Sequence, residues 1–161
     1  MEFKSFGKIA RLSRECVVTE KIDGTNASIC IVEDWAPEAP IIIARDGLGI
    51  LAGSRTRWIT PKDDNYGFAK WVEANSDELF RLGPGHHFGE WWGKGIQRGY
   101  NQIEKKFSLF NTAKWSDASI SPACCGVVPV LWTGIFNSDD VDMALETLRN
   151  VGSHAAPGYP Y

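Results

Sequence analysis

Glu20-Lys21-Ile22-Asp23-Gly24-Thr25-Asn26 is the stretch whose reading decides the fold. A β-prone run, Val17-Val18-Thr19, leads into it. Asn26 to Val32 leaves it, with Ala27, Ile29 and Ile31 alternating as on a half-buried strand. Asp23-Gly24 is a turn signal, so the segment reads as strand–turn–strand. A lysine at such a strand end can sit at the floor of a cleft. It is nucleophilic only when deprotonated, and a free lysine, with a pKa of about 10.4, is almost fully protonated near neutrality. Desolvation or nearby positive charge would have to activate it. Gly24 leaves room for a ligand to approach the backbone. Asp23, Thr25 and Asn26 add polar groups. The same seven residues also fit a plain hairpin with an exposed lysine.

Downstream, Pro37 and Pro40 mark a loop, and Ile41-Ile42-Ile43-Ala44 reads as a strand ending at Arg45-Asp46-Gly47. Phe68, Trp71, Val72 and Leu79 recur at helical spacing and predict a helix over about 66–80. His87 to Trp92, Phe107 to Phe110 and Val127 to Trp132 read as strands. Ser138-Asp139-Asp140 opens a helix with an inner face of Val141, Ala144, Leu145 and Leu148, stopped by Gly152. The fold class is therefore α+β.

Composition narrows the function. The 161 residues suit a single domain spanning 1–161. A net charge of -3 excludes a global basic field, so nucleic-acid contact would need a local patch. No apolar run is long enough to cross a membrane. The first residues, Met1 to Lys4, lack the apolar stretch of a signal peptide. Cys16, Cys30, Cys124 and Cys125 are not spaced as a metal site and read as reduced thiols, which predicts a cytoplasmic protein. Seven tryptophans in this length point mainly to core packing.

Four segments in order carry a resemblance. The first, Glu20 to Asn26, resembles motif I (KxDG) of the covalent nucleotidyltransferases: DNA ligases, RNA ligases and capping enzymes. Its longer form, EKxDGTN, looks most like the ATP-dependent RNA ligases. Gly53-Ser54-Arg55-Thr56 is similar to motif Ia, Phe88-Gly89-Glu90-Trp91-Trp92-Gly93 to motif III, and Lys105-Lys106-Phe107-Ser108-Leu109-Phe110-Asn111 to motif IIIa.

The resemblance implies a nucleotidyltransferase (ATP-grasp-like ligase) domain with antiparallel sheets and a few flanking helices. It implies ATP and Mg2+ as cofactors and broken RNA as partner. Lys21 would take AMP covalently. Glu20, Ile22, Asp23 and Asn26 would line the nucleotide. Arg55 would grip phosphate through bidentate bonds, with Arg57 as an alternative. Glu90 would accept from ribose hydroxyls. Phe107 would stack on the purine, with Phe110 in the core; plain core packing also fits Phe107.

The family's motif IV glutamate and motif V lysine pair are not found after Phe107. The domain is thus expected to be incomplete at its C-terminal side, and the chain alone to adenylylate poorly or not at all. Two other readings stay open: a catalytically weak module that holds ATP or RNA, and a DNA ligase or capping enzyme, which usually carries an OB-fold.

His86-His87 reads as a strand pair rather than a metal site. Lys94, Arg98, Lys105 and Lys106, interleaved with Trp91, Trp92 and Tyr100, fit either strand tracking on a polynucleotide or a solvated loop.

Overall fold

The computed structural model describes residues 14–161, so the expectation about the first residues lies outside them. Two sheets organise the chain. The larger has seven strands. Its path runs β3 (Ile43–Arg45), β4 (Leu48–Ser54), β2 (Thr25–Val32), β6 (Gly85–Gly93), β7 (Lys105–Leu109), β8 (Cys125–Val127), and β5 (Trp58–Ile59) pairs with β4 off this path. All pairings are antiparallel except β7 with β8. The smaller sheet pairs β1 (Glu15–Thr19) with β9 (Val130–Ile135), antiparallel, Glu15 opposite Ile135. The helices are α1 (Phe68–Ala74), α2 (Ser76–Leu79), α3 (Thr112–Trp115) and α4 (Ser138–Val151). The α+β class holds.

The period of two assigns each face of the large sheet. On β2, Ala27, Ile29 and Ile31 enter the main core, with Ile50 and Ala52 of β4, Trp91 of β6 and Phe107 and Leu109 of β7. Phe68, Ala69 and Val72 of α1 and Leu79 of α2 pack into it from the helices. Asn26, Ser28 and Cys30 turn to the opposite face. A second, smaller core joins Ile22, Trp92, Tyr100, Val128 and Ala156.

Four expectations are corrected. Residues 20–26 do not make a hairpin: β1 and β2 never pair, and the segment crosses from the small sheet to the large one. The predicted strand Val127 to Trp132 is two strands in two sheets, because Pro129, which lacks an N–H, separates β8 from β9. The predicted helix over 66–80 breaks at Asn75, whose side-chain amide donates to the Trp71 carbonyl (2.8 Å). In α4 the buried residues are Ala144 and Leu148, while Leu145 is exposed; its cap is Asn137, one residue earlier, accepting from the Asp139 N–H.

Strand β4 was not foreseen. Asp46 and Gly47, both at positive φ, turn it back on β3. Trp91, Trp92 and Trp115 are buried as expected for core residues, but Trp35 and Trp58 are exposed. All four cysteines are free thiols. No helix among the described residues is long and apolar enough to cross a membrane.

Candidate active site

The crossing segment 20–26 lines a cleft of about 710 Å³, a size typical of small-molecule sites. Lys21, Asn26, Arg55, Glu90, Gln97 and Phe110 supply its chemistry. Lys21 is exposed and makes no ion pair or hydrogen bond to another described residue. Its position follows from its neighbours. Glu20 is 1 % exposed, and its carboxylate accepts from Ser153 Oγ (2.5 Å), the His154 N–H (2.8 Å) and the Ala155 N–H (2.9 Å). The Glu20 N–H donates to the Pro129 carbonyl (2.9 Å). Ile22, on the other side, is buried in the small core. The lysine is thus pinned on both flanks with its own side chain outward.

Gly24 is required by space. A Cβ there would run into the Trp91 carbonyl and lie 2.7 Å from the Trp92 Cβ. Its N–H donates to Glu90 Oε1 (3.0 Å). Glu90 stands opposite Asn26 in the β2–β6 register. Burial raises its pKa above the usual carboxylate value, opposed by the Gly24 N–H and by the charge of Lys21. Arg55 reaches the cleft from the end of β4. Arg57 does not; its guanidinium is held bidentately by Asp63 (2.6 and 3.1 Å).

Of the other expected ligand residues, Glu20 and Ile22 border the same cleft and Asp23 does not. The Glu20 carboxylate is spent on residues 153–155, and the Ile22 side chain is core. Asp23 faces Arg98 (3.6 Å), and its N–H donates to the Tyr100 hydroxyl (2.7 Å). Phe107 is fully buried against Phe68 and Trp71, so no base can stack on it. The cause is Gly89: a Cβ there would lie 2.6 Å from the Phe107 ring, which fills the space that side chain would take. Phe110, expected in the core, lines the cleft instead. Alternation after Leu109 could have shown this. Gln97, at φ 44, carried no sequence signal.

The basic stretch does not make a stacking surface. Trp91, Trp92 and Tyr100 are buried. Lys105 donates to the Tyr66 carbonyl (2.6 Å), and Lys106 lies over the Trp92 ring. His87 is buried, its Nε2 2.9 Å from the Gly83 carbonyl oxygen. Among the described residues, no group of three or more His, Cys, Asp or Glu side chains is placed to hold a metal ion.

A lysine between two sheets thus shares one cleft with a carboxylate, an arginine and an aromatic ring. A protein-family model described as RNA ligase matches residues 14–158, nearly all of the described chain. The chain belongs to the RNA ligase family. No curated protein matches it.

Proposed function

We propose that this chain is an ATP-dependent RNA ligase working through a lysyl-AMP intermediate in a single nucleotidyltransferase domain over 1–161. The observation that carries this is the cleft itself, where Lys21 shares one cavity with Glu90, Arg55, Asn26 and Phe110. Phe110 is the platform for the adenine ring, replacing Phe107 in that role. Glu90 accepts from the ribose hydroxyls. Arg55 pairs with phosphate oxygens.

The deprotonated Lys21 Nζ attacks the α-phosphorus, a P–N bond forms, the bond to the bridging oxygen breaks and pyrophosphate leaves. The ammonium proton passes to solvent. An RNA 5′-phosphate oxygen then displaces Lys21 from AMP, and a 3′-hydroxyl displaces AMP as the strands join. Mg2+ supplies neutralisation of phosphate charge when bound. Glu90 offers one carboxylate, so the donor set suits an ion held largely by the nucleotide's phosphates, not a protein cage.

Among the described residues, Lys21 and Arg55 are the only cationic side chains that line the cleft. With so little positive charge to stabilise the transition state, labelling should be slow. The same observation favours a second reading, a module that holds ATP without reacting. Incubation with ATP labelled on the α-phosphate separates them. Weak, acid-labile labelling, lost in Lys21→Ala, is expected. Label surviving Lys21→Ala would refute the assignment of the lysine. Saturable ATP binding with no covalent label would favour the holding module.

A further inference from the structure

Four aromatic rings, three of them outside the cleft, lie on the same sheet face as Asn26 and Glu90. The β2–β6 register places Phe88 opposite Ser28 and His86 opposite Cys30, and Ser28 stands opposite Gly53 of β4. Trp58 pairs with Gly53 from β5, and its ring lies over that glycine. Gly53 and Ser28 form a low floor, so rings from distant strands meet above it. Trp58 and His86 lie 5.9 Å apart between centroids, and His86 and Phe88 are stacked at 5.8 Å. Phe110 follows, its N–H donating to the Phe88 carbonyl (2.9 Å).

These rings are not core. Trp58 is 41 %, Phe88 52 % and Phe110 40 % exposed. Phe88 and Phe110 line a second cavity of about 420 Å³ with His86, Asn111 and Lys114. Phe110 belongs to both cavities, so the strip continues directly from the lysine cleft. Cations flank it: Arg55 on the cleft side, and Lys114, exposed beside Trp115, on the other.

We propose that Trp58, His86 and Phe88 form a stacking strip for unpaired RNA nucleotides next to the end being joined. Three considerations select this occupant. Neighbouring exposed rings suit successive bases, which bind aromatic faces whatever their sequence. The flanking cations match the phosphates between those bases. The strip also opens into the cleft where a strand end would meet an activated nucleotide; in this respect it rests on the function proposed above.

The test is a titration of the full chain, without ATP, against a fluorescent short oligouridylate, by anisotropy. Trp58→Ala and Phe88→Leu should each raise the Kd about tenfold, or about 1.4 kcal/mol, as for the loss of one stacked base. Phe88→Leu keeps an apolar side chain and removes the π face, while Trp58→Phe should restore most of the affinity. Because both residues stand outside the nucleotide cleft, labelling of Lys21 by ATP should be unchanged. Affinity within twofold of the parent for both Trp58→Ala and Phe88→Leu would overturn the proposal. So would loss of self-association in these variants with RNA binding intact, which would assign the strip to a second copy of the chain. The titration needs no ATP, so failure of Lys21 labelling leaves its result readable.

Discussion

Phe107 and Phe110 are three residues apart, yet the sheet separates them. Phe107 fills the seat left open by Gly89, among Phe68 and Trp71, and Phe110 stands on the cleft face. Their alanine variants should fail in different ways. Phe107→Ala removes a buried ring and leaves a cavity, which costs about 3–5 kcal/mol of stability. Denaturant unfolding would show it as a lowered midpoint. Phe110→Ala should leave that midpoint nearly unchanged and raise the dissociation constant for ATP about tenfold, the worth of one lost stacking contact. Equal stability losses for the two would contradict the placement. Lys21, Arg55 and Glu90 were legible because their chemistry is exposed in short motifs. Phe107 was misread because a motif names residue types and does not say which side of a strand they occupy. Glu20 lines the cleft, but the partners of its carboxylate, residues 153–155, were not readable because they are far away in sequence.

At the scale of elements, the decisive contact joins that glutamate to the segment after α4. Glu20 receives three hydrogen bonds from residues 153–155 and is nearly inaccessible. Glu20→Gln keeps the shape but presents an NH2 group to donors that need an acceptor. At least one buried donor is then unsatisfied, which costs about 1–3 kcal/mol. A thermal melt should register this, and limited proteolysis should cut more readily near His154. An unchanged melt would show that the latch carries little of the stability. Strand and helix existence was mostly readable from periodicity; partners and breaks were not. The Asp-Gly turn left a hairpin of β1 with β2 open as one reading, yet each strand finds its ladder elsewhere. Alternation reveals a strand's faces and leaves its neighbours unspecified. The apolar run from Val127 read as one strand because the run continues across Pro129, although the ladder does not.

For the whole molecule, His87 couples stability to pH. Burial, with the nearby charges of Lys114 and His86, lowers its pKa below the usual histidine value, against the bond to the Gly83 carbonyl. Above about pH 6.5 the ring is neutral in both folded and unfolded chains and has no effect. As pH falls below that value, the unfolded chain takes up a proton that the folded one resists. Stability is then lost, by at most about 1.4 kcal/mol per pH unit, until the folded pKa is reached. His87→Gln, which can still donate to Gly83, should narrow the difference in melting temperature between pH 7.5 and pH 5. An identical difference in parent and variant would remove His87 as the cause.

The small sheet bears on how the protein comes into being. Glu15 pairs with Ile135, so the strand that leads into Lys21 is held by one from far along the chain. Closing so long a loop is entropically costly and tends to come late in folding. During synthesis, the segment bearing Lys21 leaves the ribosome well before its partner strand has been translated. A nascent chain therefore carries an unenclosed lysine and, on the function proposed above, labelling of Lys21 would report that folding is complete.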